Sequence, residues 1–267
     1  MNRFNSDSRL PIAFVLNMLA FALILTLGTN GFASQTTKAS EATLLAKTYE
    51  AHGGLELFQA QGTMSYTMKG FPLSGPMSKQ NHSTINLKTR QNRIDGEGFV
   101  VAWDGKQAWA TPSLEAVGLP ARFVTLGSFY FIGMPFVFGD PGVVLTDEGY
   151  GTFNGKNYRV IRAGYESGIG HTDEDDYKLY IDPDTNRLAL FHHSVTENAD
   201  IDRVTWTIDE LQDVDGLLVP AKMTFYVGWN PENPGDGASF TIEDVKFSKS
   251  TPKKSLYKAP TDAEIAD

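Results

Sequence analysis

The residues of this 267-residue chain with the most scope for chemistry are its five histidines and its grouped carboxylates. His171-Thr-Asp173-Glu174-Asp175-Asp176 sets an imidazole beside four acids, a group able to hold a hard divalent cation or to exchange protons with a substrate. The same acids, preceded by Gly168 and Gly170, also read as a solvated loop. Asp182-x-Asp184-x-Asn186 opens like a calcium loop, but the sixth position is Arg187 instead of glycine and the twelfth is His193 instead of glutamate. A hairpin turn accounts for those residues. His192 and His193 are adjacent in a strand pattern, so they point to opposite faces and do not share one metal in regular strand geometry. His193 has the parity of Phe191 and Val195 and is expected to face inward, either bonded to a ligand head group or satisfied within the core. His52 precedes Gly53-Gly54 at the end of a helical run, where the helix dipole favours a cation. Asp140, His171 and His193 are the candidate set for acid–base catalysis. No nucleophile elbow, zinc-protease, phosphate-loop or complete dinucleotide motif occurs. Neither a cofactor nor a metal is expected.

A different kind of chemistry is offered by Leu119 to Pro141, LPARFVTLGSFYFIGMPFVFGDP, which carries one basic residue, Arg122, and one acid, Asp140. Pro120 and Pro135 can each sit in a first helical turn, so two short helices are read here, 121–132 and 135–138. Phe123, Leu126 and Tyr130 share a face while Val124, Phe131 and Ile132 cover the others. A helix apolar all round must be covered by protein or lipid. Phe129, Phe131, Phe136 and Phe138 offer wide apolar walls and Met134 adaptable packing, as a lipid pocket requires; the same residues also serve as plain core. Insertion into a membrane surface needs a basic face, and only Arg122 is present. Trp103 and Trp206 alternate inward and stand between the same two readings.

The elements that must position this segment are strands. One or two helices over 40–51 and 55–60 come first, and after residue 61 the hydrophobic period changes to two. Asp104-Gly105, Asn154-Gly155, Asp182 to Asn186 and Asp215-Gly216 separate successive apolar runs as hairpin turns. The parity of the last run breaks between Ile242 and Val245, which predicts a bulge near Glu243 or Asp244. Nine to eleven antiparallel strands are expected over 62–248, followed by a loosely held polar tail over 251–267.

Residues 1–33 have the layout of a secretory signal peptide, with Arg3 and Arg9, an apolar run from Ile12 to Leu27, and a Gly31-Phe32-Ala33 cut before Ser34. An uncleaved anchor is the other reading. Removing Arg3, Arg9 and Asp7 leaves 21 basic and 31 acidic residues and a charge of −10, which speaks against a nucleic-acid partner. With no cysteine there is no disulfide, thiolate metal site or lipidated N-terminal cysteine. A periplasmic or secreted protein is expected, with one domain over 34–250.

Helix, meander, apolar helical insertion and second meander together resemble the LolA/LolB-like lipoprotein-carrier superfamily. YKLYIDPDTNRLALF and TIDELQDVDGLLVPAKMTFY are similar to hairpins in the second half of that sheet. AHGG at 51–54, PFVFGDPG at 135–142 and VDGLLVP resemble an uncharacterised family of exported bacterial proteins within it. The resemblance implies an α+β, mainly β fold: an incomplete antiparallel barrel with helices plugging its concave face over a cavity for acyl chains. The leading expectation is thus a non-catalytic protein that binds a lipid or lipidated molecule, lined by Trp103, Phe123, Phe129, Tyr130, Phe131, Met134, Phe136, Phe138 and Trp206, with His52, Arg122, Asp140 and His193 as polar candidates. A membrane-associated protein is a further candidate partner. A hydrolase built on scattered Asp and His groups, or a partner-binding module, is the alternative.

Overall fold

The computed structural model describes residues 45–71, 75–166, 176–194 and 203–266. The signal-peptide segment, the start of the first helix and the His171 cluster up to Asp175 lie outside these residues. Two short helices, α1 (Ala46–Ala51) and α2 (Leu55–Gln59), precede a first meander: β1 (Thr63–Lys69), β2 (Asn81–Asn86), β3 (Asn92–Gly96), β4 (Phe99–Trp103) and β5 (Ala108–Thr111). Helix α3 (Ala121–Ile132) and a 3₁₀ turn, Phe136–Gly139, form the expected insertion. The second meander is β6 (Val143–Phe153), β7 (Lys156–Tyr165), β8 (Tyr177–Ile181), β9 (Leu188–Ser194), β10 (Arg203–Val214), β11 (Leu217–Val227) and β12 (Ala238–Ser248).

All the strands belong to one antiparallel sheet, with β1 paired to β12 at the join between the meanders. A short strand near the C-terminus, β13 (Glu264–Ala266), pairs with β5 at one edge, and β6 forms the other. Among the described residues twelve strands fall within 62–248, one above the nine to eleven expected there, and β13 adds a thirteenth. The chain therefore leaves one edge of the sheet at β5 and re-enters at the opposite edge at β6. Whatever joins these strands must cross the whole sheet, and that connection is the apolar segment.

The crossing shows that the sheet is curled. Arg122 of α3 packs against Trp103 on β4, while Tyr130 of the same helix packs against Tyr165 on β7. Strands β4 and β7 are nine places apart in the sheet order, about 43 Å at about 4.8 Å per strand. A twelve-residue helix is only about 18 Å long, so a flat sheet would put these partners out of reach. The sheet is an open trough, an incomplete barrel, and α3 lies within it.

Local chemistry accounts for the turns. At Asn154-Gly155 and Asp215-Gly216 both central residues have positive φ, 49° and 74° in the first and 54° and 87° in the second. Two-residue loops of this kind match the twist of the flanking strands. The predicted bulge is present: Ser65 faces Lys246 but Thr67 faces Glu243, and Asp244 has φ 53°.

The polar tail is not loosely held. Tyr257 is fully buried, its carbonyl accepts the Trp109 indole N–H at 2.8 Å, and the Glu264 carboxylate accepts the Leu114 N–H at 2.7 Å. One aromatic side chain and a three-residue strand hold a segment whose composition reads as solvent-facing.

Candidate functional site

The site is framed by an anchor and a plug. The anchor is the AHGG sequence. His52 ends α1 and is completely buried. Its backbone carbonyl accepts the Leu218 N–H at 2.9 Å, and its ring Nδ1 donates to the Leu218 carbonyl at 3.0 Å. Nε2 accepts the Leu188 N–H at 3.1 Å. A backbone amide can only donate and a carbonyl only accept, so the ring is the neutral Nδ1–H tautomer. Burial, assisted by the Arg187 charge, holds its pKa below the ordinary value. The cation expected at this helix end is therefore absent: desolvation outweighs the helix dipole. Gly53, at φ +104°, lies so close to the β10–β11 turn that a Cβ there would stand 1.9 Å from the Gly216 carbonyl oxygen. His52 and Gly53 fix α1 and α2 against β9 and β11.

The plug starts at α3. Its buried polar residues bond back along the helix, Thr125 Oγ1 to the Ala121 carbonyl at 2.8 Å and Ser128 Oγ to the Val124 carbonyl at 2.6 Å. Asn92 of β3, fully buried, donates to the Thr125 carbonyl at 2.7 Å and ties the helix to the first meander. The C-terminal half of the plug is solid. Phe131 stacks on Trp206 at 4.6 Å between ring centroids, and Phe136 stacks on Phe58 at 4.6 Å. Met134, Phe136, Phe138, Phe131 and Trp206 are all buried in the one core cluster. His193 faces inward as expected, beside Phe131 and Tyr177; its Nε2 accepts the Trp206 indole N–H at 3.3 Å and its Nδ1 donates to the Ser194 carbonyl at 2.8 Å. His192 points the other way and stacks on Trp229 at 4.1 Å, where burial first, then Arg203, pushes its pKa down to about 3.

The other flank of α3 is hollow. A cleft of about 700 Å³ opens beside Thr125, Leu126, Phe129 and Tyr130, consecutive positions along one helical face. Its opposite walls are Phe58, Gln59 and Gln61, the β2–β3 turn residues Leu87, Lys88 and Arg90, and Asp140, Pro141, Val143 and Tyr165. Arg90 reaches across it. Its Nη2 donates to Asp140 Oδ2 at 2.5 Å and its Cζ lies 4.9 Å from the centre of the Phe129 ring. Lys88 Nζ donates to the backbone carbonyl of Gln59.

Of the thirteen residues singled out in the sequence, Phe129, Tyr130 and Asp140 line this cleft. Phe131, Met134, Phe136, Phe138, Trp206, His52 and His193 are instead packed in the interior. Arg122 lies over Trp103 at 5.4 Å, and Phe123 is half-buried; none of these three is a cleft wall. Asp140 is engaged by Arg90 and the His193 ring by Trp206 and Ser194, while His171 lies outside the described residues. Among the described residues no group of three His, Cys, Asp or Glu side chains could hold a metal, and Asp182 instead accepts the Asp184 and Thr185 amides of its own turn. Sequence reasoning missed Phe58, Gln61, Arg90 and Tyr165. Arg90 drew no reading from the sequence; the structure places it in the β2–β3 turn at φ 61°.

Residues 124–220 match the model of a family of unknown function, DUF6503. PFVFGDPG and VDGLLVP fall within that span and AHGG outside it. Among solved structures, the chain is similar to a LolA superfamily protein from Nitrosomonas europaea at 8% identity and a TM-score of 0.48, over 82% of this chain and 97% of that one. It is also similar to a DUF1329 family protein from Desulfovibrio piger, at 10% identity and a TM-score of 0.44 over 79% of this chain and 98% of the other. A further likeness is to a putative outer membrane lipoprotein-sorting protein domain from Vibrio parahaemolyticus, at 13% identity and a TM-score of 0.39 over 77% and 97%. No curated protein matches. Among the described residues no helix is long and apolar enough to cross a membrane.

Proposed function

We propose that this half-barrel is an exported, non-catalytic protein that binds the hydrocarbon part of a lipid or lipidated molecule in the cleft beside α3. The observation that carries the reading is the cleft itself. Its volume of about 700 Å³ lies inside the range of about 300–1,000 Å³ usual for small-molecule sites. Its walls are largely apolar, with Phe58, Leu87, Leu126, Phe129, Tyr130, Val143 and Tyr165 facing a few polar groups at the side. That balance suits a molecule with one long apolar part and one polar end.

The location differs from the one the sequence invited. A guest between the plug and the sheet would have to displace stacked aromatics, whereas the flank of α3 toward α2 and the β2–β3 turn is already open. Acid–base chemistry gains no support from the described groups, because Asp140 and His193 each have other partners.

The test is native mass spectrometry of protein recovered from the periplasm without detergent. The expected spectrum shows a chain beginning at Ser34 and carrying an added lipid mass that organic extraction removes. A spectrum of bare chain only, unchanged on incubation with fatty acids or lysolipids, overturns the reading.

A further inference from the structure

The polar side of the cleft is unbalanced. Its lining holds two cations, Lys88 and Arg90, against one carboxylate, Asp140, in a chain with nine more acidic than basic residues. Asp140 occupies only Nη2 of Arg90. Among the described residues Nη1 of the same guanidinium, buried, finds no hydrogen-bond partner. A buried, charged donor left unpaired is destabilising, so such a group calls for an acceptor, a water or a ligand atom, from outside the chain. Phe129 holds the guanidinium plane from beneath, and the turn at φ 61° fixes the backbone that presents it. Lys88 at the same wall donates to a neutral carbonyl, that of Gln59, and forms no ion pair among the described residues.

Resting on the reading of the cleft as a lipid site, we infer that its ligand is a single-chain amphiphile with an anionic head, a carboxylate or a phosphate. The head pairs with the guanidinium of Arg90, whose side chain is 32% exposed and turns Nη1 toward it, beside Lys88, and the chain lies along Leu126 and Phe129. Asp140 is the built-in competitor: it shares the guanidinium with the incoming anion and moderates its affinity. A guanidinium offers parallel donors suited to either kind of oxyanion, so the two heads share one chemistry here.

The experiment is calorimetric titration of the purified, delipidated protein with four probes: palmitate, palmitoyl lysophosphatidate, hexadecanol and inorganic phosphate. A charge-assisted hydrogen bond is worth about tenfold or more in affinity. Palmitate, lysophosphatidate or both are expected to bind at least about tenfold more tightly than hexadecanol, and the tighter of the two identifies the head. Arg90→Gln is expected to remove that advantage, so that neither anion binds more tightly to the variant than hexadecanol does. Asp140→Asn, which frees Nη2 and deletes no cation, is expected to strengthen anion binding several-fold. Equal affinity for palmitate and hexadecanol overturns the anionic head but leaves the lipid cleft standing. Inorganic phosphate binding as tightly as the chain-bearing anions overturns the amphiphile. Failure of every probe overturns both readings. Should Arg90→Gln unfold, the Asp140→Asn titration decides: unchanged or weaker anion binding in that variant sinks the inference.

Discussion

The two flanks of the insertion share one helix and behave as opposites. Toward β8–β10, Phe131, Tyr130 and Phe138 meet Tyr177, Phe191, His193 and Trp206 ring against ring. Toward α2 and the β2–β3 turn, Leu126 and Phe129 face a hollow of about 700 Å³. Composition does not separate the flanks, since both are apolar. What differs is the number of opposing elements. A curled sheet brings several strands onto one side, whereas the other side meets a five-residue helix, a turn and the ends of β6 and β7, too little material to fill the space. A solid flank carries stability, and a hollow flank leaves surface for something else.

The comparison breaks most visibly at Phe136, which sits between Phe58 and Tyr49 with 1% of its surface exposed. Phe136→Ala should cost about 3–5 kcal/mol of stability, read from urea unfolding. A loss below about 1 kcal/mol would show that the C-terminal half of the plug is loosely packed and that its contrast with the cleft is false.

Next in size is the anchor. Phenylalanine in place of His52 leaves the buried Leu188 amide and Leu218 carbonyl without their ring partner, at about 1–3 kcal/mol each. The pH dependence carries its own sign. The native ring stays neutral because its pKa is lowered from 6.5, whereas the unfolded ring takes a proton near 6.5. The native state thus binds fewer protons, and stability present above pH 6.5 declines as the pH falls below it. His192, pushed down to about 3, acts in the same direction. Unfolding measured from pH 7 to pH 4 should lose stability in the wild type. His52→Phe should flatten that slope by up to about 1.4 kcal/mol per pH unit, one proton's worth. An unchanged slope would mean that the ring is solvated and pins nothing.

The same contrast explains what could be read from the sequence. The limits of α3, the bulge at Asp244 and the Asn154 and Asp215 turns are local features, set by residues a few positions apart. The cleft is not local: Arg90 and Asp140 are 50 positions apart, and only the sheet's curl brings them together. Choosing site residues by apolarity also selects for the wrong property. The most apolar side chains are the ones folding buries completely, so Met134, Phe136 and Phe138 went to the core, while the cleft took Leu126 and a turn arginine. The tail was misjudged for a related reason: its average polarity hid the one tyrosine that anchors it.

The smallest effect on stability is expected where the effect on binding should be greatest. Leu126 is half-buried and faces the hollow, so enlarging it to tryptophan meets space instead of packed atoms. Overpacking in a filled core costs about 1–3 kcal/mol, whereas a substitution into open space should stay within about 0.5 kcal/mol. Leu126→Trp should therefore leave unfolding nearly unchanged and abolish the lipid adduct in the native spectrum, because the indole occupies the chain's place. The solid flank provides the control: Ile132, fully buried on the same helix, should not accept tryptophan without a stability loss of the overpacking size. If Leu126→Trp destabilises as strongly as Ile132→Trp, the hollow is closed in solution and the two flanks are alike. If it is stable and still carries lipid, the guest lies elsewhere on the half-barrel.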